Sequence, residues 1–289
     1  MVSRRSFMTT VSALAVGTGL PDVAVARGAT PRPSPRITAY VGNRAVTGTE
    51  VLQWEARRIR VAASRLDGHL PAALVGEIDA LVRRPIVSTA GLARDRELLA
   101  DVKLAMGEDR IRRLLAVDLA LSAPTSRLAG GIGSWAVSRA RVVSSQGTAR
   151  GFADWFLARG ATSDERALLV ACPDHYLIRD LRPGVQEVIE VTGGAMLASR
   201  FVIDYADRAG LPVAEDARFP VRLAGWARAR GGTRIGGVRH QLRDLPGGGF
   251  EARLAVAFPA TLPPWMLSEH RWHLACEFSN WARSYATAG

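Results

Sequence analysis

Lysine is almost absent from this chain of 289 residues. Lys103 is the one lysine, so 37 of the 38 basic residues are arginine, and they are scattered among 27 acidic residues. The formal charge of +11 would suit a nucleic-acid partner. Nucleic-acid-binding proteins, however, usually gather their charge in blocks and carry a recognition motif, and the sequence shows neither. The composition therefore predicts no nucleic-acid partner.

Cysteine and long apolar runs are also scarce. Two cysteines, Cys172 and Cys276, cannot build a disulfide framework. We expect two small buried hydrophobic side chains, with pairing to each other outside the cytoplasm as the alternative. The apolar run over residues 11–20 is too short to span a membrane as a stable helix. The sequence therefore predicts no stable membrane span.

The first 26 residues have the three parts of an export signal in order. Paired arginines, Arg4 and Arg5, precede the apolar run, and residues 24–26 form a small-x-small cleavage site. The adjacent arginines followed by Ser6 and Phe7 resemble a twin-arginine signal. We therefore expect a protein exported by the twin-arginine pathway, with a mature chain that starts near Arg27.

The next part of the chain divides into a linker and a helical region. Residues 27–48 begin Pro-rich and polar, which is typical of a linker. Over residues 49–125, apolar positions recur with a period of 3.6, with breaks at Gly68, Pro85 and Gly107. This pattern predicts a helical N-terminal region that covers the rest of the chain or mediates a homodimer.

Residues 126–289 change to a pattern of strands and one long helix. A first strand over 134–145 and two short helices precede strands at 175–180, 185–192, 199–205, 221–230, 235–243 and 250–258, separated by Gly-rich turns. An uninterrupted helix over 263–285 ends the series. This order predicts an α+β helix-grip domain, in which an antiparallel sheet wraps the C-terminal helix and leaves a cavity between them.

Two ionisable side chains lie on the apolar face of that last helix. His273 and Glu277 are four residues apart, so they stack on one face together with Leu274, Phe278 and Trp281. A carboxylate in an apolar stripe costs several kcal/mol unless it is paired or bound to a metal. The spacing therefore favours a pair of metal ligands over a solvated ion pair.

The strands supply further candidates by their alternation. His240 has the same parity as Val238 and Leu242, which points it toward the helix. Glu187 and Glu190 have opposite parity, so one of them faces inward, and parity alone leaves the choice open. His175 begins a strand directly after Cys172-Pro173-Asp174. Imidazole and carboxylate together suit Zn²⁺, with Fe²⁺ or Mn²⁺ as less favoured occupants.

Four short segments in this order resemble the 2,4-diacetylphloroglucinol hydrolase family: DERALLVACPDHY, EVTGG, GGVRHQLRD and HLACEFSNWA. The resemblance covers roughly residues 130–285. It implies a Bet v 1-like catalytic domain that hydrolyses a carbon–carbon bond between an aromatic ring and an acyl group. It also implies one Zn²⁺ per chain, held by His175, Glu190, His273 and Glu277, with His240 as the catalytic histidine that moves protons at a pKa near neutral.

The chain departs from the family pattern in two places. The segment from His175 to Glu190 is shorter than in the family, which keeps Glu187 open as an alternative ligand. Ala167-Leu168 stand where the family has a tyrosine for a phenolic substrate. The implied substrate is therefore a small hydrophobic or aromatic ketone of the acylphenol or polyketide type.

Two other functions fit the same pattern. Helix-grip domains also bind apolar ligands without chemistry, so an exported, non-enzymatic carrier is one alternative. A metal-free cyclase or lyase that uses His240 as its base is the other. Stoichiometric zinc in the purified protein would separate the hydrolase from both.

Overall fold

A computed structural model of the chain describes residues 34–83, 89–131, 133–162 and 164–288. The described residues belong to one compact unit that begins at Ser34. The predicted export signal lies outside the described residues, as do residues 27–33 of the predicted linker. None of the described helices combines the length and the apolar character needed to cross a membrane.

The described part of the chain contains helices on both sides of a nine-stranded sheet. The helices are α1 (Gly48–Leu66), α2 (Val75–Arg83), α3 (Thr89–Leu114), α4 (Ala116–Gly131), α5 (Ala149–Ala161), α6 (Glu165–Leu169) and α7 (Pro264–Ala288). The strands are β1 (Ile37–Val41), β2 (Arg44–Val46), β3 (Trp135–Ser144), β4 (His175–Arg182), β5 (Val185–Glu190), β6 (Ser199–Asp204), β7 (Val221–Arg228), β8 (Arg234–Asp244) and β9 (Phe250–Pro259). The sheet order is β2-β1-β3-β9-β8-β7-β6-β5-β4, and neighbouring strands are antiparallel.

Strands β1 and β2 correct the predicted linker over residues 27–48. They form a hairpin with a two-residue turn at Gly42-Asn43, where Gly42 has φ 62°. Turns of this length need positive φ, which glycine and asparagine tolerate. The hairpin extends the sheet because β1 pairs with β3. The sequence did not predict β1 because five residues beside a Pro-rich stretch give too few alternating apolar and polar positions to indicate a strand.

Helix α7 and the sheet have the arrangement that the sequence predicted from residue 134 onward. The helix packs against β1 and β3, and strands β4 to β9 each contribute side chains to a cavity that α7 also lines. The number, order and approximate bounds of the predicted strands in this region agree with the structure. The α+β class and the helix-grip arrangement are therefore confirmed at this coarse level.

The N-terminal helices cover the other face of β4 and β5. Helix α1 begins with a capping box, in which the Thr47 side chain accepts a hydrogen bond from the Glu50 N–H and the Glu50 carboxylate accepts one from the Thr47 N–H. Apolar side chains of α1 and α3 form a cluster with Leu177 and Ile189. All six residues of β5 are buried in consequence. Both acids of this strand therefore need a partner inside the protein.

A tight turn after β5 brings the chain against α7. Gly193 has φ 56°, and a Cβ atom there would lie 2.6 Å from the carbonyl oxygen of Met266 and 2.8 Å from Cβ of His270. Only glycine fits this position, because both the backbone conformation and the space exclude a side chain. The turn thus sets how closely the end of β5 approaches α7.

Substitution of Gly193 tests this approach. We expect Gly193→Ala to lower the free energy of unfolding by about 1–3 kcal/mol more than Gly184→Ala does, because the added methyl group overpacks the contact with α7. Gly184 is the matched control, since its φ of 74° carries the same backbone strain with nothing within 4 Å of the new Cβ. Urea denaturation of both variants measures the difference; equal destabilisation would contradict a tight turn–helix contact.

Candidate metal centre

The structure brings four of the predicted site residues together. His175 begins β4 and lies directly opposite Glu190 at the end of β5 in the register of the sheet. His273 and Glu277 extend toward them from adjacent turns of α7. All four side chains are at least nine-tenths buried. Three elements that are far apart in the sequence therefore meet at one buried point.

The ligand atoms of these residues are spaced as around one small cation. The two Nε2 atoms of His175 and His273 lie 3.2 Å apart. Oε2 of Glu277 lies 3.2 Å from Nε2 of His175 and 3.5 Å from Nε2 of His273, and Oε2 of Glu190 lies 3.7 and 3.8 Å from the same two atoms. Ligand atoms at the corners of a tetrahedron around Zn²⁺, with bonds of about 2.0–2.2 Å, lie about 3.3–3.6 Å apart.

The other ring nitrogens settle which tautomer each histidine adopts. Nδ1 of His175 lies 3.2 Å from the carbonyl oxygen of Leu168, which only accepts hydrogen bonds, so Nδ1 carries the proton. Nδ1 of His273 faces the Asp174 carboxylate at 3.7 Å and Sγ of Cys172 at 3.6 Å, which favours a proton there as well. In this state both Nε2 atoms direct lone pairs into the cluster.

The electrostatics of the cluster call for a positive charge at its centre. Burial alone would lower the pKa of His273, but its neighbours Cys172, Glu190 and Glu277 raise it well above its usual value. Burial would raise the pKa of Glu277, and His273 and His175 instead lower it. A proton or a metal cation can supply the charge that two buried carboxylates require.

Cys172 is a further potential ligand that sequence reasoning missed. Cys172, His175 and His273 form a buried group that could hold a metal ion, with ligand atoms within 4.8 Å of one another. Its Sγ, however, contacts Nδ1 of His273, whereas the carboxylate of Glu277 meets Nε2. Burial raises the pKa of the Cys172 thiol well above its usual value. Its position three residues before His175 could have identified Cys172 as a candidate from the sequence.

Both cysteines are buried free thiols, as the sequence predicted by default. Cys276 lies on the side of α7 away from the four convergent ligand atoms, and its Sγ is 3.7 Å from the carbonyl oxygen of Ala171.

The alternative acid, Glu187, lies on the opposite face of β5. Its carboxylate receives hydrogen bonds from Arg112 (2.7 Å), Arg179 (3.1 Å) and Arg200 (2.5 Å). Burial would raise its pKa, but Arg112 and Arg200 lower it below the usual value. Glu187 is therefore neutralised away from the cluster, and Glu190 is the acid of this strand that faces His175 and His273.

A cavity of about 170 Å³ adjoins the cluster, between α7 and the inner face of the sheet. An apolar cavity of about 150 Å³ is large enough for a benzene ring. The wall next to the cluster is apolar and aromatic, with Val188, Phe201, Val238, Leu274, Phe278 and Trp281. The cavity can therefore hold a single aromatic ring beside the four ligand atoms.

His240 lines this cavity from β8, on the same face as Val238, as its alternation predicted. Its ring packs edge-on against Phe278, with centroids 4.8 Å apart, and its Nδ1 is buried without a hydrogen-bond partner among the described residues. Burial lowers its pKa to about 4, against the opposing charge of Glu277. His240 is thus neutral at neutral pH, which corrects the expected pKa near neutral.

A second cavity histidine, His270, was not among the sequence candidates. It stacks on His273 with ring centroids 5.2 Å apart, and its Nδ1 lies 3.1 Å from Oγ of Ser138. His270 and His273 are three residues apart, so they lie on the same apolar face of α7. That spacing could have identified His270 as a candidate from the sequence. The cavity therefore contains more ionisable groups than the predicted set.

Comparisons with known proteins add little to this geometry. The sequence matches no protein-family model, and a search of curated proteins found no match. One solved structure with similarity to the chain is the crystal structure of Ara h 8.0201, with a TM-score of 0.36 and 16% sequence identity over 54% of this chain and 100% of that chain. A similarity at this level carries no conclusion about the function of the chain.

Replacement of Cys172 separates the two possible ligand sets. Because its Sγ faces Nδ1 of His273, we expect Cys172→Ala to keep one bound metal ion per chain, whereas Glu277→Gln loses it. The cobalt(II)-loaded wild-type protein should show no thiolate-to-metal charge-transfer absorption. Such an absorption in the wild type, lost in Cys172→Ala, would instead identify Cys172 as a ligand.

Proposed function

We propose that the chain is a zinc-dependent hydrolase that cleaves the carbon–carbon bond between an acyl group and an aromatic ring. The metal is supported by one observation: the Nε2 atoms of His175 and His273 lie 3.2 Å apart, and an oxygen of Glu190 and one of Glu277 each lie within 3.8 Å of both. Lone pairs at such distances repel each other unless a cation lies between them. Resemblance of the sequence segments to the hydrolase family supports the reaction.

The donor set fits Zn²⁺ better than its competitors. Two imidazole nitrogens and two carboxylate oxygens at tetrahedral spacing are typical of zinc. His175, Glu190, His273 and Glu277 would hold it. When bound, Zn²⁺ supplies Lewis acidity that polarises an oxygen of the substrate or of water.

The cavity supports a hydrophobic ring as substrate. Phe278 and Trp281 on α7 and Val238 on β8 form an apolar wall, and Trp281 also stacks near His175. In place of the missing family tyrosine, Tyr205 lines the cavity and donates its hydroxyl to Oε1 of Gln186 at 3.2 Å. A small acylated phenol or related aromatic ketone would bury its ring in this space and exclude bulk water.

His240 is the residue to which we assign the proton transfers. In the hydrolysis, the oxygen of water bonds to the acyl carbon, the bond from that carbon to the ring breaks, and the ring carbon takes a proton. Neutral His240 can accept the proton of the attacking water and then deliver it to the ring carbon. The products are a carboxylic acid and the deacylated arene, so atoms and charge balance.

The rival function is a carrier of an apolar ligand, and the mostly apolar lining of the cavity favours it. A carrier would need no metal, and neither would a cyclase or lyase that uses His240 as base. In both cases the four acceptors would be held together by a proton on one histidine. The metal content of the protein therefore decides between these functions and the hydrolase.

Export and self-association remain parts of the proposal. The paired arginines near the start of the sequence support export by the twin-arginine pathway, a route that carries proteins already folded around a metal. Helix α4 exposes Val117, Leu121 and Leu128, and such apolar side chains on the helical region support a homodimer.

Removal of one ligand tests the metal. We expect His273→Ala and Glu277→Ala to lower zinc below one ion per chain, because each leaves three ligands and an uncompensated charge. The exposed histidine His69 is the matched control, and His69→Ala should keep full zinc. Elemental analysis of the purified proteins measures the content. Full occupancy in both site variants, or no zinc in the wild type, would contradict the proposal.

Removal of His240 tests the chemistry. We expect His240→Ala to keep one zinc per chain and to lower the rate of acylphenol hydrolysis by about 10²–10⁴-fold, because the proton carrier is lost. The assay follows the release of carboxylic acid from 2,4-diacetylphloroglucinol and simpler aryl ketones. Unchanged turnover in this variant would remove His240 from the catalytic groups, whatever the metal content.

A further inference from the structure

The turn that leads into His175 is held from outside by the N-terminal helices. Lys103 on α3 donates from Nζ to the carbonyl oxygens of Pro173 (2.7 Å) and His175 (2.5 Å). It is 2% exposed, and it is the one lysine of the chain. A buried amine that donates hydrogen bonds to two carbonyl oxygens of one segment fixes the backbone of the first candidate ligand.

A second basic side chain reaches the same turn from α1. Arg58 donates from Nε to Oδ1 and Oδ2 of Asp174 at 2.8 and 3.0 Å, and its Nη2 lies 2.7 Å from Oδ1. The Asp174 side chain is 1% exposed. These contacts to both oxygens fix the orientation of the carboxylate.

Asp174 in turn faces the cluster. Its Oδ2 lies 3.7 Å from Nδ1 of His273, and its charge favours the proton on that nitrogen. The lone pair of Nε2 then stays directed at Glu277 and His175. A continuous series of contacts thus joins α1 to a ligand on α7, through Arg58, Asp174 and His273.

We propose that Arg58 and Lys103 are positioning residues of the metal centre, so that the helical N-terminal region is a working part of that centre. This inference rests on the proposed function, because it needs a metal at the cluster. Arg58 acts through Asp174 on the tautomer and angle of His273, and Lys103 acts through the backbone on His175. Residues that orient metal ligands in this way typically contribute 10–100-fold to metal affinity.

The same helices contain a matched pair that contacts none of the four candidate ligands; its carboxylate meets α7 at Asn280 instead, at 3.0 Å. Arg96 on α3 donates from Nε and Nη2 to the two oxygens of Glu55 on α1, at 2.6 and 2.7 Å. The Glu55 side chain is 1% exposed, so this pair resembles the Arg58–Asp174 pair in geometry and burial. Its loss should weaken helix packing to a similar degree and leave the metal ligands in place.

The experiment compares Arg58→Met, Lys103→Met and Arg96→Met in the full chain. The first readout is the zinc dissociation constant, from competition with a chelator. The second is the visible absorption of the cobalt(II)-loaded protein, which reports ligand geometry. We expect Arg58→Met and Lys103→Met to weaken zinc binding by about 10–100-fold and to change the cobalt spectrum. We expect all three substitutions to lower the thermal midpoint of unfolding. We expect Arg96→Met, however, to change zinc affinity by less than threefold.

Asp174→Asn extends the test to a variant of nearly unchanged volume, in case Arg58→Met does not fold. It should weaken zinc binding by about 10-fold or more. The positioning role would be overturned if the wild type binds zinc and if Arg58→Met and Asp174→Asn bind zinc as tightly as Arg96→Met does. Absence of zinc from the wild-type protein would overturn the proposed function itself, so the two failures are distinct.

Discussion

The negative charge of two buried carboxylates, Glu190 and Glu277, is the constraint on which this structure depends. Burial of one uncompensated carboxylate already costs several kcal/mol, and Glu190 and Glu277 lie within one cluster. The protein tolerates this only with a positive charge between them. A cation bound there would contribute its binding free energy to folding, because the ligands converge only in the native state.

The fold meets this constraint by fixing every candidate ligand on a rigid element. His175 and Glu190 face each other across an antiparallel pair, and Gly193 lets the chain after β5 approach α7 without a clash. The N-terminal helices cover the back of β4 and β5, where Lys103 and Arg58 hold the turn before His175. Side chains on strands and helices, packed on both sides, keep a ligand geometry more precisely than loops do.

The sequence was sufficient where one face of an element is apolar and the other polar. The spacing of His273 and Glu277 and the alternation around His240 gave their orientations correctly, because α7 and β8 each turn one side to the cavity. Strand β5 was different. Both of its faces are buried, so parity could not choose between Glu187 and Glu190. The resemblance to the hydrolase family favoured Glu190, and the long-range partners place it beside His175 and His273. The contacts of Arg58 and Lys103 could not be predicted from local patterns either, because they join residues 116 and 70 positions apart in the sequence.

The two acids of β5 have different kinds of partner. Glu187 receives hydrogen bonds from three arginines. Their guanidinium groups stay charged, so they neutralise this carboxylate and repel any other cation from it. For Glu190 and Glu277 the described residues provide no arginine ion pair, although arginine is abundant in this chain; their ionic partners are the imidazoles of His175 and His273. A neutral imidazole adds a lone pair where an arginine would add a charge. The use of histidine at this cluster leaves it able to take up either a proton or a metal cation.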